Sequence, residues 1–205
     1  MSMNEIDGMT TNRILLAALK LMQDKSFRSV TIRDIAQAAN VSEMTVFRHF
    51  KTKRGVLEAA INKYSFVPSF KEIFEKQIVH ELENDLHLIA TTYLDQMQRN
   101  MPIFLIAIQE RTTMPELSSV ISNNTRQLRE LLADYFVTMQ NENKMMKVDA
   151  NALTTTFMAT LFGYFSSTAF WGELFIRESR EEFVETMVAT FCHGLKKEAE
   201  GYEQN

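Results

Sequence analysis

Apolar residues recur at helical spacing along most of the chain. Such stretches predict helices over about residues 12–24, 53–64, 78–97, 102–109, 115–140, 149–170 and 180–198. Pro68 predicts a break before the chain resumes near Phe70, and residues 141–147 form a polar loop. With two further short helices between residues 31 and 52, and with only three prolines and six glycines, we expect an all-α fold of about nine helices.

The two short helices between residues 31 and 52 have the pattern of a helix-turn-helix. Ala36, Asn40 and Val46 occupy the small, turn and apolar positions that allow its two helices to pack together. Asn40 tolerates the left-handed backbone of a sharp turn. The predicted N-caps are Thr31 (in a capping box with Asp34), Ser42 and Thr52.

The outward residues of this motif have the mixed chemistry needed to recognise base edges in a major groove. The predicted base contacts are Arg33, Thr45 and Arg48, and Glu43 and Met44 complete the outward face. The predicted contacts to the DNA backbone are Thr31, Phe47, His49, Lys51 and Lys53, where the helix starting at Lys53 also offers its positive dipole end to phosphate. The alternative is a helical hairpin inside some other all-helical protein.

Charge is unevenly distributed along the chain. Residues 1–56 carry a net charge of +4 and the remainder −8, within a total of −4. A basic module on an acidic body favours polyanion binding at one end, although chance variation in surface charge is an alternative.

Between residues 31 and 53 the chain resembles the DNA-binding domain of the TetR (tetracycline repressor) family of bacterial regulators. The resemblance is carried by Thr31, Arg33, Ile35-Ala36, Val41-Ser42, Thr45 and the run Phe47-Arg48-His49-Phe50-Lys51-Thr52-Lys53, which mirrors the family's aromatic-x-His-Phe-x-x-Lys signature. It implies an N-terminal three-helix DNA-binding domain, here 1–52, and a C-terminal helical ligand-binding and dimerisation domain, here 53–205. The remaining chain matches the family only in length and helical character.

Two positions depart from the family pattern. Asn40 stands where the family usually has glycine, and Phe47 where it usually has a tyrosine whose hydroxyl commonly bonds a phosphate. Phe47 retains the packing but not that hydrogen bond. We therefore expect more of the phosphate contact to fall on His49, Lys51 and Lys53.

The last two predicted helices suggest a dimer interface, because their apolar faces are wider than one core contact requires. Two such helices from each protomer would form a four-helix bundle with two-fold symmetry, which is also what the resemblance implies. The alternative is that one chain satisfies both faces. The predicted interface residues are Phe157, Leu161, Tyr164, Val184, Met187, Val188, Phe191 and Leu195.

Aromatic and methionine side chains crowd the body of the chain, as in apolar small-molecule sites, although plain core packing is the alternative for each. The resemblance implies a cavity between the predicted helices 78–97, 115–140 and 149–170. His87 and Glu110 are polar candidates, with a hydrogen-bonded histidine and a solvated helix end near Arg111 as the alternatives. The predicted wall is Tyr93, Met97, Phe104, Ile108, Phe165 and Trp171.

Other classes of function find no support in the sequence. There is no metal-ligand spacing, nucleophile elbow or phosphate-binding glycine loop, so we expect no cofactor, no metal and no enzymatic activity. A single cysteine, no signal-peptide pattern and no long apolar run predict a cytoplasmic protein that does not interact with membranes. We expect a homodimeric transcriptional regulator, a repressor that binds a palindromic operator and is released by an apolar or amphipathic effector. The alternative is a helical ligand-binding or protein-interaction protein without specific DNA binding.

Overall fold

The computed structural model describes residues 3–65, 67–112 and 115–196, apart from the side chains of residues 3–6 and 115–120. All regular secondary structure in these ranges is helical. The helices are α1 (Met3–Lys25), α2 (Ile32–Ala38), α3 (Glu43–Phe50), α4 (Lys53–Lys63), α5 (Val67–Lys76), α6 (Leu82–Arg99), α7 (Met101–Gln109), α8 (Pro115–Asn141), α9 (Ala150–Trp171), a 3₁₀ turn (Gly172–Leu174) and α10 (Arg180–Gly194).

The predicted all-α class is confirmed, and the described residues contain one α-helix more than the nine expected. The additional helix is α5, which follows the predicted break. Helix α4 ends at Lys63, and Pro68 lies in the first turn of α5, where its missing amide hydrogen costs no helical hydrogen bond. Helix α1 begins at Met3 rather than near Asn12, and the segment before Asn12 contains no proline that would stop the helix.

Two compact units divide the chain. The first unit comprises the described residues of 1–65 and 99–124, and the second those of 66–98 and 125–205. In the first unit, apolar residues of α1–α4 and α7 share one core, in which Ile14, Ile35, Val46 and Val56 are completely buried. Burial of this kind stabilises the unit by roughly 1.5–3 kcal/mol for each large side chain.

The first unit extends beyond the domain 1–52 predicted from the sequence. Helix α4 packs against α1 and α3, and Leu57 and Ala60 lie in the same core as α1. Helix α7 also packs on α1 and contributes Ile103 and Ile106. The sequence does not reveal this because α7 is distant along the chain.

The second unit has its own core, built from α5, α6, the later part of α8, α9 and α10. Aromatic side chains connect three of these helices. Phe136 of α8 meets Phe157 of α9 edge-to-face at 6.3 Å, and Phe157 meets Phe191 of α10 at 5.3 Å. One buried carboxylate, that of Asp85, accepts hydrogen bonds from the Tyr135 hydroxyl and the Val79 amide, both at 3.0 Å.

Candidate nucleic-acid interface

The caps predicted for the helix-turn-helix are all present. The Thr31 hydroxyl accepts a hydrogen bond from the Asp34 amide at 3.1 Å, and the Asp34 carboxylate accepts one from the Thr31 amide at 2.8 Å. The hydrogen bond from the Thr31 hydroxyl is the main cause that lowers the pKa of Asp34. The Ser42 hydroxyl accepts from the Thr45 amide at 3.1 Å, and Asn40 adopts the predicted left-handed backbone at φ 52°.

Packing of α3 through Val46 leaves one face of this capped helix exposed. Val46 points inward with no exposed surface, while five side chains at helical spacing point outward. The exposed side chains, called the α3 face below, are Glu43, Met44, Phe47, Arg48 and Lys51.

The α3 face carries several kinds of recognition chemistry. Glu43 accepts hydrogen bonds, Arg48 donates them in a planar fork, and Met44 and Phe47 are apolar. The Lys51 ammonium lies 5.6 Å from the centre of the Phe47 ring, so ring and cation are neighbours at the C-terminal end of the helix. A short helix with this surface has the dimensions and the chemistry that fit a major groove.

Three further residues were predicted to contact DNA. Arg33, on α2, is exposed. Thr45 is half-buried, and its hydroxyl lies 2.8 Å from that of Ser42. Thr31 is exposed, but its hydroxyl already donates to Asp34 at 2.7 Å. The hydroxyls of Thr31 and Thr45 therefore serve the caps of α2 and α3.

Lys53 does not have the role predicted for it. Its ammonium donates to the carbonyl oxygens of Phe27 and Val30, both at 2.6 Å, and of Arg28 at 3.3 Å. It also lies 4.4 Å from the centre of the Phe27 ring. Burial lowers the pKa of the Lys53 ammonium, and the nearby Glu110 carboxylate partly opposes this shift. Lys53 thus stabilises the loop between α1 and α2 and is not placed as a phosphate contact.

His49 is also directed inward rather than towards solvent. Its side chain is 10% exposed, and its Nδ1 atom lies 3.3 Å from the Thr11 hydroxyl oxygen. The Nε2 atom lies 3.3 Å from a carboxylate oxygen of Asp7, without the alignment of a hydrogen bond. The imidazole therefore faces α1, which leaves Lys51 as the cation of the predicted phosphate set that remains exposed.

The sequence did not reveal the role of Glu110. This residue follows α7, is only 4% exposed, and accepts a hydrogen bond from the Phe27 amide at 3.2 Å. It is therefore neither a solvated helix end nor a residue placed for an external cation. The only signal in the sequence was an acidic residue closing the apolar run of α7, and the partner lies 83 residues away.

The junction between α3 and α4 is unusually tight. Lys51 has a φ of 63°, and the Thr52 amide donates to the Phe50 carbonyl at 2.7 Å. A β-carbon on Gly55 would lie 2.2 Å from that carbonyl oxygen. Glycine is therefore required at position 55 for close backbone approach.

The residues predicted to line a ligand cavity are divided between the two units. Tyr93 and Phe165 are buried and Met97 is half-buried in the second unit, whereas Phe104 is half-buried in the first. Ile108 and Trp171 are 49% and 54% exposed, so they do not line an enclosed cavity in the single chain. His87 is exposed as well, which contradicts a role in a pocket.

The residues predicted for the dimer interface instead contribute to the core of one chain. Six of them, Phe157, Leu161, Val184, Met187, Val188 and Leu195, are at most 6% exposed. The Tyr164 ring stacks on Phe183 at 4.0 Å, and Phe191 contacts Phe157. The prediction was wrong for the buried residues because their apolar stripe packs inside the second unit.

Neither a metal centre nor a membrane span emerges from the described parts of the chain. No group of three or more histidine, cysteine, aspartate or glutamate side chains within the described residues could hold a metal ion. No helix there is long and apolar enough to cross a bilayer.

Comparisons with known proteins match both the N-terminal helix-turn-helix and most of the chain's length. A family model described as bacterial regulatory proteins, tetR family, matches residues 14–60. The HTH-type transcriptional regulator YvkB of Bacillus subtilis (strain 168) is 31% identical over 186 residues, 91% of this chain and 97% of its own. The biofilm operon icaADBC HTH-type negative transcriptional regulator IcaR of Staphylococcus aureus (strain Newman) is 20% identical over 189 residues, 91% of this chain and 99% of its own.

Solved structures share the fold. A transcriptional regulator from Saccharomonospora viridis in complex with choline superposes with a TM-score of 0.74 at 19% identity, covering 92% of this chain and 98% of the other. At this identity the similarity shows the fold alone.

Proposed function

This chain belongs to the TetR family of bacterial regulatory proteins, and we propose that it acts as a homodimeric repressor that binds a palindromic operator and releases it when a small molecule binds. The relationship confirms the predicted family and identifies a DNA-binding transcriptional regulator rather than an enzyme. IcaR, a relative, is named as a negative regulator, which supports repression. The proposed place of action is the cytoplasm, because the bacterial chromosome lies there.

The α3 face is the observation that carries this proposal. It places an arginine, a glutamate and two apolar side chains on the exposed surface of a short, well-capped helix. Arg48 lies in its last turn and has the geometry to form a bidentate contact with guanine. Two copies held about 34 Å apart would meet successive major grooves of one operator.

Replacing Arg48 with alanine should weaken operator binding at least about fivefold, since a bidentate contact to guanine contributes about 1–3 kcal/mol. Binding to random duplex should change much less. Gel-shift titrations against both DNAs measure this difference. The matched control is Arg126→Ala, which removes the same charge from an exposed position of α8. Equal affinity of Arg48→Ala and the parent protein for the operator would contradict the assignment of α3.

The proposed function as a whole is tested on the DNA upstream of the protein's own gene. We expect a shifted band that resists random competitor, and an affinity that falls steeply between two salt concentrations. No preference over random duplex would leave the alternative of a helical protein without specific DNA binding.

For the dimer we propose the outward faces of α9 and α10 in place of the buried stripe. These faces carry small residues such as Ala159, Gly163 and Ala189, which permit close helix approach. Several of their threonine hydroxyls donate to carbonyls of their own helix, as Thr160 does to the Thr156 carbonyl at 2.8 Å, so these donors would stay satisfied on burial.

An exposed apolar segment continues this surface beyond α9. Leu174 is 92% exposed, Phe175 66% and Trp171 54%, and the Trp171 and Phe175 rings lie 5.8 Å apart. Contiguous apolar surface of this kind marks interaction sites. A second copy of the chain is the proposed partner because the segment directly follows the small-residue face of α9.

Replacing Ala159 with arginine should dissociate the dimer. Burying an unpaired charge in the interface costs about 3 kcal/mol, roughly a hundredfold in the dimer dissociation constant. Light scattering during size-exclusion chromatography measures the mass, and circular dichroism verifies that the variant is folded. Glu130→Arg, at an exposed position of α8, is the control. A folded Ala159→Arg variant that stays dimeric would place the interface elsewhere.

The effector is proposed to be apolar or amphipathic and to bind in the second unit near Tyr93, Met97 and Phe165. Burial raises the pKa of the Tyr93 hydroxyl, so the group would stay neutral and serve as a hydrogen-bonding partner. A regulator of similar fold is described in complex with choline, a small organic cation. Mass spectrometry of the purified protein tests for a co-purified molecule, which should lower operator affinity when added back.

A further inference from the structure

We propose that Met44 contacts the 5-methyl group of one thymine in each operator half-site and thereby selects thymine at that position. This inference rests on the proposed DNA-binding function and deepens it by assigning a specific base contact. Met44 lies in the first turn of α3, and its side chain is 73% exposed. An apolar residue this exposed has most of its surface available for a partner.

The chemistry of the neighbouring side chains favours this partner. Glu43 only accepts hydrogen bonds and Arg48 only donates them. The Thr45 hydroxyl lies 2.8 Å from that of Ser42 and serves the cap of α3. The polar groups of α3 can thus recognise donors and acceptors on base edges. The thioether of Met44 is at most a weak hydrogen-bond acceptor and is otherwise apolar. The thymine methyl is the apolar group that a major groove presents.

Phe47, the second apolar residue of the α3 face, is less suited to this role. Its ring neighbours the Lys51 ammonium at 5.6 Å, in the last turn of the helix. A ring beside a cation that is itself exposed fits the phosphate backbone better than a base edge. Met44 lies one helical turn nearer the N-terminus of α3, and the cation four residues after it is Arg48, which the proposed function assigns to a guanine edge rather than to phosphate.

The experiment uses the full-length protein and begins by selecting operators from a random duplex library. Each thymine of the selected operator is then replaced by deoxyuridine, symmetrically in both half-sites, which removes the methyl group and leaves base pairing intact. At one position we expect affinity to fall about fourfold per half-site and about 15-fold for both, from the loss of one buried methyl contact each. Met44→Ala should keep α3 helical, because alanine is a good helix former. In this variant the loss of affinity caused by deoxyuridine should disappear.

Two variants separate a methyl contact from a general loss of affinity. Met44→Leu should retain most of the penalty, since leucine also presents apolar surface. Lys51→Ala should weaken binding to the thymine and uracil operators by the same factor, so that their ratio is unchanged. An unchanged penalty in Met44→Ala, or no thymine whose methyl group matters, would overturn the inference while leaving the repressor function intact. If no sequence is selected at all, the proposed function itself is refuted.

Discussion

Replacing Gly55 with alanine should lower the free energy of unfolding of the first unit by about 3 kcal/mol or more, the range of severe overpacking. The new β-carbon would lie 2.2 Å from the Phe50 carbonyl oxygen. That carbonyl cannot move away cheaply, because it also accepts the Thr52 amide at 2.7 Å in the turn formed by Lys51. Relief would therefore require α4 to shift relative to α3.

The single tryptophan makes this prediction measurable. Trp171 lies in the second unit, so its fluorescence follows that unit while circular dichroism follows both. In urea, Gly55→Ala should lose part of its helical signal well before the tryptophan signal changes. Gly8→Ala is the matched control, since a β-carbon there meets nothing within 4 Å and should stabilise α1 by up to about 1 kcal/mol. Similar behaviour of the two alanine variants would contradict the close approach at Gly55.

Replacing Lys53 with methionine should destabilise the first unit by about 3 kcal/mol, because three carbonyl oxygens lose a charged donor. Methionine retains an apolar stem beside the Phe27 ring, so the change isolates the ammonium group. The Glu110 carboxylate, only 4% exposed, would also lose the nearby positive charge. The same urea titration measures this loss.

The salt dependence of DNA binding distinguishes the two roles considered for Lys53. If its ammonium holds the loop between α1 and α2, the slope of log affinity against log salt should be unchanged for the folded variant. Lys51→Met is the matched control. It should leave stability within about 0.5 kcal/mol and reduce that slope by about 1 for each copy of the chain bound. A stable Lys53→Met variant with a reduced slope would restore the phosphate contact predicted from the sequence.

Lys53 and the residue that follows α7 hold the same residue of the DNA-binding motif. Glu110, after α7, accepts a hydrogen bond from the Phe27 amide, and Lys53, at the start of α4, donates to the Phe27 carbonyl. One residue of the loop between α1 and α2 is thus held from two elements of the first unit. Residues 14–60, which the family model matches, include Phe27 and Lys53 but not Glu110.

Some features of this protein follow from the sequence because their causes are local. The caps at Thr31, Ser42 and Thr52 and the left-handed Asn40 depend on side chains and backbone within a few residues. The exposed α3 face follows from helical periodicity around the buried Val46. Helical spacing also predicted most of the helices, although α5 was missed because it is short and directly follows a break.

The tertiary structure alone decided the roles that depend on distant partners. A lysine at the start of a helix has the same local pattern whether it binds phosphate or carbonyls, and the partners of Lys53 lie 23 to 26 residues away. The same holds for His49, which faces Thr11, and for Leu161 and Val188, whose apolar stripe is buried within one chain. Periodicity identifies which side of a helix is apolar, but only packing determines whether that side meets the same chain or a second copy.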